Sequence, residues 1–307
     1  MHAIVVNNIV KTYGAKKEMI KALDDVSFNV QQGELFGIIG PDGAGKTSLF
    51  RILTTLLLPE QGSASVDGYD VVKDYKEIRK RVGYMPGKFS LYQDLTVEEN
   101  LEFFATIFNT SIKANYDLVK DIYIQIEPFK DRRAGKLSGG MKQKLALCCA
   151  LIHKPAVLFL DEPTTGVDAV SRKEFWVMLK DLKKQGITIL VSTPYMDEAS
   201  MCDRVALMQS GKIMSIDTPE NIISNFKKPI WSVRADEMYR LLNDLKQYPN
   251  TESCNSFGEF HHLVLKNDDP DQNKILNYLE EHEHKNISIK TTKPNIEDCF
   301  MQLMEHH

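Results

Sequence analysis

The first part of the chain is built from short runs in which apolar and polar residues alternate: AIVVNNIV, ALDDVSFNV, ELFGIIG and SASVDGYDV. They are separated by Gly14, by Gln32-Gly33 and by Glu60-Gln61-Gly62. Alternation of this kind marks strands, and the breaks are turn formers, so a β-rich lobe is expected around the first helix. From about Thr96 to Phe129 the period lengthens. Leu101, Phe104, Ile107 and Phe108 recur at three-to-four spacing behind an acidic turn, Glu98-Glu99, with Thr96 in the N-cap position. That spacing gives a helix one apolar face, and a helical insert over about residues 92–150 follows. Helix and strand then alternate through MKQKLALCCALIH, AVLFLD, SRKEFWVMLKDLKKQ, ITILVST, DEASMC and RVALMQ, the βαβ rhythm of a parallel, doubly wound sheet.

Past residue 225 the character changes. The runs WSVRA, MYRLLNDLKQY, FHHLVLK, DQNKILNYLEEH, ISIKTT and NIEDCFMQLME predict a small α+β unit of βαββαβ type over 226–307, behind a larger domain over 1–225. The chain of 307 residues is long enough for both. With 43% hydrophobic and 26% charged residues it has a globular composition. No apolar run reaches the roughly 18 residues needed to cross a bilayer, and the start MHAIVVNNIVK has no cleavage-site pattern. A membrane role is therefore expected to come through a partner. The net charge of −4 gives no general attraction for phosphate backbones, so no nucleic-acid partner is expected.

Five cysteines, Cys148, Cys149, Cys202, Cys254 and Cys299, lack CxxC spacing and are read as reduced packing residues of a cytoplasmic protein. His261-His262 and His306-His307 have no supporting carboxylate or thiol spacing. They are read as surface histidines, or at the end as a terminal remnant, rather than as metal ligands.

Three segments carry chemistry. The segment Gly40-Pro41-Asp42-Gly43-Ala44-Gly45-Lys46-Thr47 fits GxxxxGK[ST], follows the apolar run Leu35 to Ile39, and precedes a helix beginning near Ser48. In that context the glycines turn backbone N–H groups and a helix N-terminus towards a phosphate. Lys46 supplies a positive charge to phosphate oxygens, and Thr47 supplies a hydroxyl for Mg²⁺. Downstream, the apolar run Ala156 to Leu160 ends in Asp161-Glu162. Paired with Lys46, Asp161 is a second candidate for Mg²⁺ and Glu162 for orienting or deprotonating the attacking water; taken alone, a strand ending in two acids is also an ordinary turn. Third, in Leu137-Ser138-Gly139-Gly140-Met141-Lys142-Gln143, Ser138 caps a helix starting near Met141, and Gly139 and Gly140 leave N–H groups open to an anion.

Here the resemblance becomes specific. LSGGMKQ, standing between the phosphate loop and Asp161-Glu162, resembles the signature motif of the ABC ATPases, and the matches extend over about Asn7 to Gly211. The resemblance implies an α/β P-loop NTPase with a parallel core sheet, an antiparallel β lobe and a helical insert, followed by a small ferredoxin-like α+β domain. It implies ATP and Mg²⁺ as ligands, and a head-to-tail pair in which Ser138, Gly139 and Gly140 face the γ-phosphate held by the other subunit. By the same resemblance Tyr13, in KTYG, stacks on adenine, Ser48 joins the phosphate-binding residues, and Gly166-Val167-Asp168 lies across the dimer interface. The segment Gly87 to Val97 docks a membrane permease, with Phe89, Leu91 and Tyr92 as apolar anchors. PNIEDCFMQL resembles the C-terminal extension of subunits that serve drug, antibiotic or polysaccharide export. The expected location is the cytoplasmic face of a membrane.

Two positions depart from the family pattern. In GYMPGKFSLY, Gly87 stands where the family has glutamine, and in ILVSTPYMDEA, Pro194 stands where it has the switch histidine. Gly87 has no side chain, and Pro194 has neither an imidazole nor a backbone N–H. Either this chain's own site binds ATP well and hydrolyses it poorly, or Glu162 suffices and both changes are tolerated; the partner is a like or an unlike second ATP-binding subunit. A soluble ABC ATPase acting on nucleic acid or ribosomes, and a regulatory module that never hydrolyses ATP, are the alternatives. The first lacks its usual coiled-coil insertion or doubled cassette, and the second is opposed by Glu162.

Overall fold

The computed structural model describes residues 1–14, 19–88, 90–266 and 272–305. The chain divides into two compact units, Met1–Pro219 and Glu220–His307. The helix Pro219–Ser224 stands at this division, a few residues before position 225.

Along the first unit run β1 (His2–Tyr13), β2 (Ile20–Gln31), β3 (Leu35–Ile39), α1 (Lys46–Leu53), β4 (Gln61–Val66), β5 (Tyr69–Asp70), α2 (Tyr75–Arg81) and β6 (Val82–Met85). Then come α3 (Val97–Ile107), α4 (Tyr116–Tyr123), α5 (Gly139–Leu151), β7 (Val157–Asp161), α6 (Ala169–Lys184), β8 (Thr188–Thr193), β9 (Arg204–Gln209) and β10 (Lys212–Asp217). Among the described residues, β2-β1-β4-β5 form an antiparallel sheet, the expected β lobe. A second sheet has the order β10-β9-β3-β8-β7-β6. Its strands are parallel except β10, which returns antiparallel against β9, so the sheet is mixed rather than wholly parallel. The reason is local: Ser210-Gly211, both at positive φ, form a tight turn that sends KIMSID straight back.

The centre of that sheet positions the site. Every residue of β3, β7 and β8 is buried, as a parallel sheet covered on both faces requires. All three strands end on the same edge, where the apolar runs give way to Gly40, Asp161 and Thr193.

The helical insert is divided. Thr96 and Glu99 close a capping box at the start of α3, with Thr96 N to Glu99 Oε2 at 2.7 Å and Glu99 N to Thr96 Oγ1 at 3.1 Å. The helix stops at Ile107, Asn109 adopts φ 52°, and helix resumes as α4. Leu101 is buried, whereas Ile107 is 54% exposed, so the apolar periodicity overstates the inward face by one turn.

The second unit comprises α7 (Pro219–Ser224), β11 (Ile230–Arg234), α8 (Met238–Gln247), β12 (Thr251–Phe257), β13 (Phe260–Leu265), α9 (Gln272–Glu281), β14 (Ser288–Thr292) and α10 (Ile296–Glu305). Its sheet has the order β12-β13-β11-β14 and is antiparallel throughout. Of the paired histidines expected at the surface, His261 is buried and His262 is half-buried. His261 is 4% exposed and bonds Met238 O at 2.7 Å, while His262 Nδ1 lies 2.8 Å from Asp298 Oδ1, fastening α10 to the sheet. Period two put both on a strand but did not say which faces are covered. His306 and His307 lie outside the described residues. All five cysteines are free and buried, and burial pushes every thiol up, so they fill space and are poor nucleophiles.

Candidate nucleotide site

The loop from Gly40 to Gly45 joins the buried strand β3 to α1, which begins at Lys46, two residues before the start expected from the sequence. Two of its glycines are dictated by contact. A Cβ on Gly40 would stand 2.1 Å from Met208 O, and one on Gly45 would stand 2.2 Å from Ala22 O. Gly45 also has φ 108° at the N-cap of α1, a conformation that glycine adopts without strain. Ala44 is buried and its carbonyl accepts from Gly211 N at 2.9 Å, whereas Asp42 and Gly43 are exposed at the loop tip.

Lys46 is 3% exposed and its ammonium is fully engaged. It donates to Gly40 O at 2.7 Å and Pro41 O at 2.9 Å, and its Nζ lies 3.0 Å from Glu162 Oε1. The cation thus sits inside the curl of the loop, facing a carboxylate from the end of β7. Burying a lone charge is prohibitive, so these three oxygens stabilise the cation until a phosphate competes for it.

Asp161 is 2% exposed. Ser192 Oγ donates to its Oδ1 at 2.7 Å, and the Thr47 hydroxyl also hydrogen-bonds the carboxylate. Burial raises the Asp161 carboxyl above the usual carboxylate range; Glu162 adds to the rise, while the two hydroxyls and Lys46 oppose it. A hydroxyl and a carboxylate converging at a phosphate loop are hard oxygen donors, the kind Mg²⁺ takes. Glu162 has φ 50°, unusual for a residue with a Cβ, and is fixed by its N–H bonding Ser192 O at 3.1 Å and Ser192 Oγ at 3.0 Å. Lys46, Thr47, Asp161 and Glu162, from two distant segments, are brought together.

Other candidates stand apart from this cluster. Tyr13, 42% exposed at the end of β1, bonds Ser48 Oγ through its hydroxyl at 3.2 Å, so it flanks α1 beside the phosphate loop. Ser138 caps α5 and accepts from Met141 N at 3.3 Å; the helix begins at Gly139 rather than near Met141. Ser138 and Gly139 are exposed, while Gly140 packs so tightly that a Cβ there would stand 2.8 Å from Ser171 Oγ. Asp168 caps α6, accepting from Val170 N and Ser171 N, and the Ser171 bond leads in holding its carboxyl below the usual range.

Gly87 lies against the cluster, for a Cβ there would stand 3.0 Å from Asp161 O and 3.8 Å from Glu162 Cβ. Pro194 follows Thr193, whose Oγ1 accepts from Tyr195 N at 3.0 Å, so the chain turns sharply at the end of β8. A cleft of about 550 Å³ is lined by Gly87, Glu162 and Gly166 together with Leu91, Phe104 and Phe108. Of the expected docking anchors, Leu91 is buried in its wall and Tyr92 is 50% exposed, edge-on to Phe103 at 4.7 Å; Phe89 lies outside the described residues. Sequence reasoning missed Ser192, which no motif marks.

Comparison with known proteins identifies the family. The family described as ABC transporter matches residues 23–165. "Probable multidrug ABC transporter ATP-binding protein YbhF" of Escherichia coli (strain K12) is 37% identical over 307 residues, covering 98% of this chain and 52% of the relative. The chain therefore spans about half the length of that relative. "Doxorubicin resistance ATP-binding protein DrrA" of Mycobacterium tuberculosis (strain CDC 1551 / Oshkosh) is 40% identical over 223 residues, 72% of this chain and 67% of the relative. Among solved structures, the "Dimeric Structure of MJ0796, a Bacterial ABC Transporter Cassette" superposes with a TM-score of 0.64 at 26% identity, covering 70% of this chain and 98% of that one.

Proposed function

We infer the function from the family to which this chain belongs, the ABC transporter ATP-binding proteins: the chain binds and hydrolyses MgATP and thereby powers a membrane transporter of export type. The observation that carries this reading is the meeting of Lys46 Nζ with Glu162 Oε1 at 3.0 Å, with the Thr47 hydroxyl on Asp161 beside it. In this reading phosphate oxygens take over the ammonium of Lys46, and Glu162, released from the ion pair, orients the attacking water. Thr47 and Asp161 are the residues that would hold Mg²⁺, which when bound neutralises charge on the β- and γ-phosphates. Tyr13, whose hydroxyl meets Ser48 Oγ of α1 at 3.2 Å, is the aromatic proposed to stack on adenine.

The exposed cap of α5 at Ser138 and Gly139 supports a head-to-tail pair in which this N-terminus meets the γ-phosphate of a second ATP-binding subunit. The dimeric form of the MJ0796 cassette is consistent with that pair, and the multidrug transport and doxorubicin resistance in the names of YbhF and DrrA are consistent with an export role. No helix among the described residues is long and apolar enough to cross a membrane, so the chain is proposed to act from the cytoplasmic face, through a permease seated on the cleft beside Leu91 and Phe104. Gly87 and Pro194 favour slow turnover at this chain's own site, and hence an unlike partner with a full set of residues.

Titration of the purified chain with MgATP tests the reading. Binding is expected, weakened about a hundredfold by Lys46→Ala through the lost charge-assisted bonds. Equal affinity in both proteins overturns it. A second reading, a regulatory ATP-binding module without turnover, is favoured by Gly87 and Pro194; ATP hydrolysis by the chain that disappears in Glu162→Gln excludes it.

A further inference from the structure

We propose that Ser192 is a positioning residue for the nucleotide site, one hydroxyl that aims both Asp161 and Glu162. This rests on the reading of the site just given. Strands β7 and β8 are parallel neighbours, with Asp161 paired in register to Ser192. Ser192 is fully buried, and its Oγ makes two bonds at once: it donates to Asp161 Oδ1 at 2.7 Å and accepts from Glu162 N at 3.0 Å. A hydroxyl has one donor and two acceptor sites, so the bonds are compatible and fix each other's direction. The donor bond engages Asp161 Oδ1 and so restrains the rotation of the carboxylate, which with Thr47 would hold Mg²⁺. The acceptor bond pins Glu162 at φ 50°, a backbone state that persists only when its surroundings hold it.

The next residue extends the clamp. Thr193 O accepts from Gly40 N at 3.2 Å, tying the start of the phosphate loop to the same strand end. In a chain whose Gly87 and Pro194 bring no side-chain donor, the end of β8 is the polar support that stands behind both carboxylates.

A purely structural serine contributes to stability whether or not Mg²⁺ is present, whereas a positioning serine sets how much Mg²⁺ strengthens nucleotide binding. The test measures the Kd of the full chain for a non-hydrolysable ATP analogue in excess Mg²⁺ and in EDTA, for the wild type and Ser192→Ala, with thermal unfolding followed in parallel. Ser192→Ala is expected to keep its EDTA affinity within about twofold and to lose about tenfold in the Mg²⁺-dependent gain, the scale of one charge-assisted hydrogen bond. The near-isosteric Ser192→Cys, a weaker donor, is expected to lose a smaller part of that gain, and it carries the test should the alanine variant not fold. An unchanged Mg²⁺-dependent gain in a folded variant overturns the proposal, as does an equal loss in Mg²⁺ and in EDTA. The first outcome, with Lys46→Ala still weakening binding about a hundredfold, leaves the site reading intact; absence of any Mg²⁺-dependent gain in the wild type removes both.

Discussion

On the floor of the nucleotide site, Lys46, Thr47, Asp161, Glu162 and Ser192 are joined to one another or to the phosphate loop by hydrogen bonds or ion pairs, and Lys46, Asp161 and Ser192 are buried. Gly87 and Pro194, beside that floor, offer no polar side chain at all, and Gly87 lies so close to Asp161 O that a Cβ would sit in a contact of 3.0 Å. The contrast separates two tasks. Holding a triphosphate needs oriented N–H groups, a cation and hard oxygen donors, all of which belong to the floor. Driving hydrolysis also needs groups that follow the γ-phosphate and the water as charge moves, and on the proposed reading those are the groups that Gly87 and Pro194 do not supply.

Experiments that break or sharpen this contrast fall in a sequence of decreasing effect. The largest change is expected from Glu162→Gln, which removes from the floor the carboxylate proposed to orient the water. Turnover should fall by about two to four orders of magnitude with binding retained, as measured by phosphate release beside a nucleotide titration. Next, the double variant Gly87→Gln with Pro194→His supplies what the second region lacks. A rise in kcat of roughly tenfold or more at similar nucleotide affinity is expected, since a single well-placed donor is worth that and more in a transition state. Gly87→Gln alone should do less, because the tight approach to Asp161 O forces the loop outward before the amide can be used. The smallest effect marks where the floor ends: Tyr13→Ala, at the rim of α1, should weaken ATP binding about threefold to tenfold and leave kcat unaltered. A loss as large as that of Lys46→Ala would move Tyr13 into the phosphate cluster.

Much of the floor is legible in the sequence because each part carries its own local signal. The apolar run Leu35–Ile39, then GPDGAGKT, then a helix, specifies strand, curl and cation in one continuous stretch, and the apolar run Ala156 to Leu160 before Asp161-Glu162 announces a buried strand ending in acid. Ser192 carries no such signal. Its role comes from parallel register with Asp161, a relation between residues far apart in the chain that no spacing reports. The pairing of Lys46 with Glu162 is non-local in the same way.

Elsewhere the pattern failed where residue types were ambiguous. TESCNSF is polar and forms β12 because β13 offers it an edge, and KIMSID forms β10 because the Ser210-Gly211 turn folds it back. The segment DEASMC becomes part of a short 3₁₀ turn, Met196–Met201, rather than a full helix. It is held by Arg172, whose guanidinium reaches Asp197 Oδ2 at 2.9 Å. His261 is buried and His262 half-buried for a reason the strand pattern omits: α8 and α10 supply the partners Met238 O and Asp298.

The most direct measurement is of binding and turnover on one preparation of the purified chain. The separation of floor from catalytic groups predicts saturable MgATP binding that Lys46→Ala weakens about a hundredfold, together with steady-state hydrolysis well below the ordinary range of about 1 to 10 per second. Hydrolysis within that range by the unmodified chain alone, abolished by Glu162→Gln, would contradict it and leave Gly87 and Pro194 without a catalytic consequence.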